Sequence, residues 1–208
     1  MSNNIIKVSY TYAKLIFNNL SSEQFNKLLF TDESIYSSSK VEGSQLLKNI
    51  IYENLTDHNI TITDGTANIG TDSIYLSNYF KTINSIEVSN INHKALINNI
   101  NVFKKSNINA IIGDVTTEIS KLEQDVIYID APWGGRNYKK NENMKLYLSN
   151  MEILDFYKTF KNKAKIFVFK IPYNYNFEYL KNNIDSKMTI YPFKKEDKIK
   201  FFFLLIHS

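Results

Sequence analysis

The sequence predicts an α/β fold with a mostly parallel, seven-stranded sheet, and three observations carry that expectation. From residue 59 onward, short β-branched runs alternate with amphipathic stretches of helical period, the pattern of parallel strands joined by crossover helices. A turn of small residues, Gly65-Thr66-Ala67-Asn68-Ile69-Gly70, follows the first run directly. The last two runs have only residues 192–200 between them and no helix, so they form an antiparallel hairpin at the end of the sheet.

Residues 9–54 read mostly as helix. Leu15, Ile16, Leu20, Phe25, Leu28 and Leu29 recur at helical spacing, with Ser22 placed to cap the second stretch. A stronger helix covers 41–55, with Val41, Leu46, Leu47, Ile50 and Ile51 on one face. Residues 1–55 are therefore expected to be a helical extension and 56–208 the α/β domain. The strand runs are 60–63, 83–88, 110–112, 126–129, 166–169, 188–191 and 201–206, and the helices between them cover 71–80, 91–105, 116–122, 150–161 and 176–184.

Composition limits the functions available. A chain of 208 residues forms one domain, or one domain with an extension, and buries roughly 70% of its unfolded surface. The longest apolar run, 201–206, is far shorter than the roughly 20 residues that span a bilayer, so no membrane partner is expected. The N-terminal residues lack a basic segment followed by an apolar one, which predicts an intracellular protein, cytoplasmic or nuclear. The absence of cysteine excludes disulfides, thiolate zinc sites and a cysteine nucleophile. The three histidines, His58, His93 and His207, lack ligand spacing, so no metal is expected. A net charge of +4 suits an anionic partner without requiring one.

The turn after the first run has the chemistry of a cofactor loop. Glycine lets a ligand approach the backbone, and N–H groups at a helix start attract negative charge. Asp64 ends the strand, placed to accept from a ligand's ammonium, and Gly65, Thr66, Ala67, Asn68 and Gly70 form the turn. Asn68 stands where a dinucleotide loop has glycine. Glu87 ends the second run about 20 residues beyond the turn, where an acid accepts from ribose hydroxyls. Asp114 follows the third run, a natural partner for an adenine amino group. All three acids fall at the carboxyl ends of strands, where open α/β sheets bind ligands.

The fourth run ends in Asp130-Ala131-Pro132-Trp133-Gly134-Gly135. An exocyclic base amine is a poor nucleophile because its lone pair is delocalised into the ring. The Asp130 carboxylate and the Ala131 carbonyl can hold both amine protons and steer the nitrogen toward tetrahedral geometry. Pro132 removes a donor and stiffens the turn. Trp133 offers a flat face for a base, an interaction worth ~1–3 kcal/mol. Gly134 and Gly135 let the loop pass close to a substrate.

This string is similar to the D/N-P-P-Y/W motif of amino-methyltransferases, and five β-α units with a terminal hairpin resemble the Rossmann-like class I methyltransferases. The resemblance implies S-adenosyl-L-methionine as cofactor. More closely, residues 130–138, Asp-Ala-Pro-Trp-Gly-Gly-Arg-Asn-Tyr, resemble the Pro-Pro-Trp-Gly-Gly-Pro-x-Tyr string of the trimethylguanosine synthases, RNA cap guanine-N2 methyltransferases. The turn at Asp64 and the segment containing Glu42 are similar too, and the likeness spans roughly residues 35–172. Composition resembles homologues from large DNA viruses. The resemblance implies a 7-methylguanosine-capped RNA partner, with Trp133 stacked on the methylated base, whose positive charge favours an indole face. Tyr138 matches the string's tyrosine, and Arg136, Lys139, Lys140 and Lys170 are candidates to meet the cap triphosphate; Lys194 and Lys195 in the hairpin turn could face RNA. Ala131 replaces a proline of the family string, Arg136 replaces another, and Asn68 replaces a glycine.

Adenine-N6 and ribosomal-RNA guanine-N2 methyltransferases use the same acceptor turn, and an inert methyltransferase fold that only binds is a further reading. A flipped base in duplex DNA asks for an extra recognition domain that this chain has no room for. The presence of Asp64, Glu87, Asp114 and Asp130 argues against an inert fold.

Overall fold

The computed structural model describes residues 4–135 and 137–208. Seven strands form the central sheet: β1 (Thr61–Asp64), β2 (Thr82–Glu87), β3 (Ile108–Ile112), β4 (Val126–Ile129), β5 (Ile166–Pro172), β6 (Met188–Lys195) and β7 (Lys198–His207). Their spatial order is β6-β7-β5-β4-β1-β2-β3. The five strands from β3 to β5 run parallel, and β7 lies antiparallel between β5 and β6. The chain reverses its strand order between β1 and β4, the crevice at which such sheets bind ligands.

Strand β4 shows why the sheet is so apolar. All four of its residues are buried, and they alternate between two cores. Val126 and Tyr128 join the cluster of Phe17, Leu47, Ile62 and Phe203, while Ile127 and Ile129 join that of Phe156, Phe167, Phe169 and Leu204. Helices cover both faces, so an unbroken apolar run is what the position demands. All seven residues of β5 are buried as well, and one of them is Lys170.

The helices are α1 (Tyr10–Ile16), α2 (Val41–Asn54), α3 (Thr71–Leu76), α4 (Asn90–Val102), α5 (Ile153–Phe160) and α6 (Phe177–Asn183), with four-residue helical turns at Ser22–Phe25, Ser34–Ser37 and Val115–Glu118. None is long and apolar enough to cross a membrane. Phe17, Leu47 and Ile50 from the N-terminal segment share one apolar cluster with the sheet.

Several elements differ from the sequence expectation. Ser21, not Ser22, caps its helical turn, because Gln24 three residues on returns a hydrogen bond to the Ser21 backbone. The helix expected over 116–122 is one α-turn and one tighter turn, Ile119–Lys121. Residues 5–6 and 30–31 pair as a short antiparallel bridge, too brief to leave a periodicity. The terminal hairpin extends to Lys195 and from Lys198; Pro192 lies inside β6, which is tolerated because β6 is an edge strand.

Asn99 ties the N-terminal segment to the cofactor turn. Its fully buried amide accepts from Leu29 N–H at 3.0 Å and donates to the carbonyls of Leu29 and Ile69, each at 3.0 Å. Asn99→Leu removes these three bonds, along with one from the Asn98 amide, and leaves their backbone partners unpaired. At about 1 kcal/mol per bond the loss is about 3 kcal/mol. A urea titration checks this; an unchanged midpoint would show that the amide contributes nothing.

Candidate active site

A cleft of about 710 Å³ opens at the carboxyl ends of the parallel strands. That size is ordinary for a cofactor pocket. Gly65, Thr66, Asn68, Glu87 and Asp114 line one part of it. Asp130, Ala131, Pro132, Trp133, Tyr138 and Lys170 line another, so the structure brings the two sequence-read constellations into one space. Asp64, Ala67 and Gly70 are buried outside the lining, and Gly134 and Lys139 are exposed beyond it. Arg136 lies outside the described residues.

The cofactor turn is held differently from the sequence expectation of free N–H groups. Every amide from Gly65 to Gly70 is paired within the protein. Gly65 donates to the Tyr128 carbonyl, Ala67 to that of Ile86 and Gly70 to that of Ala67. Thr66 donates to the Asp64 carboxylate at 3.3 Å, Asn68 to Glu87 Oε2 at 2.8 Å, and Ile69 to Asn68 Oδ1 at 2.8 Å. Asn68 explains its own presence: it adopts a left-handed φ of 49°, which asparagine tolerates, and its side chain satisfies the next amide. Gly70 has no such substitute, because its φ is 93° and a Cβ would fall 2.7 Å from Leu96 Cδ1.

The acids differ in environment. Glu87 is 7% exposed and also accepts from Ser89 N–H at 2.7 Å; burial pushes its carboxyl above the usual range. Burial likewise raises Asp114, but hydrogen bonds from Ser149 and Thr116 outweigh it and hold the group below the ordinary value. Asp64, read from sequence as a ligand acceptor, has its carboxylate bonded to Ser73 Oγ at 2.7 Å and Thr66 N–H. Burial first, then the Asp72 charge, pushes it up to about 7.

Asp130 follows β4, and its backbone N–H donates to Thr66 Oγ1 at 2.8 Å, locking the acceptor turn to the cofactor turn. Its Oδ2 pairs with Lys170 Nζ at 2.6 Å; burial raises its carboxyl above the ordinary value, and the Lys170 charge and hydrogen bond pull it back down in part. Lys170, read from sequence as a phosphate ligand, is instead 7% exposed and committed to Asp130 and Ser39. Burial alone would pull its amine down, but Asp130, Asp72 and Asp64 outweigh that and hold it above its usual value, so it is cationic.

Trp133 is half-buried, its ring 5.1 Å from Tyr138 and 6.4 Å from Phe201. Phe201 also stacks on Phe193 at 4.6 Å, and both rings line the cleft. Among the described residues, Lys40, Lys195 and Lys200 are the exposed cations in its lining. Sequence reasoning missed Phe193, Phe201, Ser149 and the segment Ser37-Ser38-Ser39, none of which belongs to a strand-end motif. Ser38 Oγ is buried with no partner among the described residues, an unpaired hydroxyl at the cleft wall. Among the described residues no cluster of acids and histidines is fit to hold a metal ion.

The strand order, with five parallel strands and an antiparallel terminal hairpin, is that of a Rossmann-like class I methyltransferase. Residues 60–208 match the sequence model of the RNA cap guanine-N2 methyltransferases, so the chain belongs to that family and is an S-adenosylmethionine-dependent methyltransferase. It is 29% identical over 221 residues to the uncharacterized protein L320 of Acanthamoeba polyphaga mimivirus, covering 89% of this chain and 86% of that one. A putative methyltransferase from Porphyromonas gingivalis superposes with a TM-score of 0.65 at 14% identity, over 85% of this chain and 42% of that one. The 16S rRNA N2 G1207 methyltransferase of T. thermophilus, in complex with AdoMet and guanosine, superposes at 0.61 with 14% identity, over 83% and 45%. The chain thus spans less than half the length of either solved protein.

The residues present fit the cofactor. Glu87 and Asp114 offer acceptors for ribose hydroxyls and an adenine amine, and the unpaired Ser38 hydroxyl offers a donor for a carboxylate.

The Asp64 environment has a consequence for stability. A carboxyl raised in the folded state contributes stability that is complete below its unfolded value near 4 and is lost as pH rises through about 7. The melting temperature of the ligand-free protein should therefore fall across that window. Asp64→Asn should flatten the slope; an equally steep slope in the variant would overturn the assignment.

Proposed function

We propose that the protein methylates the guanine N2 amine of a 7-methylguanosine RNA cap. One observation carries this reading: the Asp130-Ala131-Pro132-Trp133 turn faces the same cleft as Glu87 and Asp114, beside the aromatic pair Phe193 and Phe201. S-adenosylmethionine, which Glu87, Asp114 and the Ser38 hydroxyl would hold, would supply an activated methyl for the amine, with a neutral thioether as leaving group.

The chain's residues do the rest. Asp130 and the Ala131 carbonyl accept hydrogen bonds from the two amine N–H groups and orient the nitrogen lone pair; the one surplus proton of the methylated product leaves to water. Trp133 stacks on the base, and a 7-methylated ring, being cationic, gains further attraction on an indole face. Lys40, Lys195 and Lys200 at the rim meet the triphosphate. The work is positional: holding reactants in line replaces a strong base.

Labelled S-adenosylmethionine offered with 7-methylated cap analogue, unmethylated cap analogue, ribosomal RNA and adenine-containing DNA tests the reading. Label on the 7-methylated cap supports it; label confined to ribosomal RNA or to DNA overturns it. Trp133→Ala should slow cap methylation by about 5- to 150-fold, the equivalent of one stacked base, while cofactor binding by calorimetry is unchanged. Because Trp133 is the chain's one tryptophan, quenching of its emission reports cap binding at this site alone.

A further inference from the structure

Lys170 is the one charged residue in the seven of β5, all of them buried. A cation persists at such a place only when it is paired. Its ammonium donates to Asp130 Oδ2 at 2.6 Å and to Ser39 Oγ at 3.0 Å. Ser39 in turn donates to Asp72 Oδ2 at 2.6 Å, and Asp72 also accepts from Ser44 Oγ at 2.5 Å and Tyr128 OH at 3.1 Å. The hydrogen bonds therefore run in one direction, from ammonium to hydroxyl to carboxylate, and give the ammonium a second anchor besides Asp130.

We infer that Lys170 is a positioning residue for methyl transfer, holding Asp130 ionised with Oδ2 occupied and Oδ1 left to accept from the substrate amine. This rests on the reading of Asp130 as the amine's acceptor. The titratable groups facing the pair are Asp64 at the end of β1, Asp72 in α3 and Tyr128 on β4. None is a cation, so removing Lys170 takes away the charge that opposes burial of the Asp130 carboxylate and favours its protonated form. A protonated Asp130 presents an O–H donor where the amine needs an acceptor, and the reaction stalls although the base still binds. Among the described residues no other cation pairs with Asp130.

Lys170→Met and Lys170→Arg test this. In the methionine variant, kcat near neutral pH should fall by about 100-fold with KM little changed. The acid limb of its kcat–pH profile should move up by about one to three units, the span an adjacent cation governs. The arginine variant, which restores the charge, should keep the wild-type limb. Carbon-13 NMR of the Asp130 carboxyl, assigned with Asp130→Asn, gives a readout without substrate or cofactor. Its titration midpoint should rise by the same amount in Lys170→Met. Should that variant fail to fold, the wild-type titration still decides: a carboxylate ionised well below neutrality supports the role, and one still protonated at neutrality overturns it. An acid limb and a carboxyl titration both unmoved in the methionine variant also overturn it. Absence of label on the cap would remove the substrate reading while leaving the carboxyl titration intact, so the two failures are separable.

Discussion

Parallel strands share a direction, and that constraint makes β1 through β5 release their chains at one edge of the sheet. Whatever follows each strand is brought to a common place. In this protein the followers are a small-residue turn, two acids and an acceptor turn, which come from positions up to about a third of the chain apart and still line one cleft. Thr66 then fixes the first of these turns to the last by accepting from Asp130 N–H. The site's geometry is thus a property of the sheet before it is a property of any loop.

Collecting acids at one edge creates an electrostatic problem that the interior must solve. Burial raises the carboxyls of Asp64 and Asp130, and the Asp72 charge pushes both the same way. The answers differ by position. Asp64 rises toward neutrality and is stabilised by Ser73 and a backbone amide. Asp72 gathers three hydroxyl donors, Ser39, Ser44 and Tyr128. Asp130, the residue exposed to the cleft, is matched with a full positive charge. Two of the hydroxyls come from the N-terminal segment, so that segment completes the charge balance of the sheet edge as well as covering its apolar face.

The elements that local pattern governs were legible in the sequence. The run 126–129 became β4 residue for residue, because burial on both faces leaves an unbroken apolar signature. The missing helix before the last strand announced the hairpin. What the sequence hid was set by partners far along the chain. The amides of the cofactor turn looked free because their acceptors belong to Tyr128, Ile86 and Glu87, on other strands. Lys170 read as a candidate to meet the cap triphosphate; its contact with Ser39 joins residues 131 positions apart. A sharper signal was present: a single lysine inside an otherwise apolar strand breaks the local rule, and such breaks concentrate at functional sites. Phe193 and Phe201 were hidden because alternation assigns a face but does not say which end of the hairpin overhangs a cleft.

The substitution of Ala131 for the first proline of the family string bears on how the acceptor turn is held. Two prolines restrict two successive φ angles; here only Pro132 does so. The Asp130 backbone is restrained instead by its hydrogen bond to Thr66, and its side chain by Lys170. A carboxylate with both oxygens free can rotate about its terminal torsion, whose well is broad. One whose Oδ2 is held at 2.6 Å by a buried ammonium presents Oδ1 in a fixed direction. Covalent stiffness removed from the backbone at 131 is replaced by electrostatic stiffness at 130 and 170, and the replacement adds something a proline cannot. The ammonium also governs ionisation, so the same contact that aims the acceptor decides whether it is one.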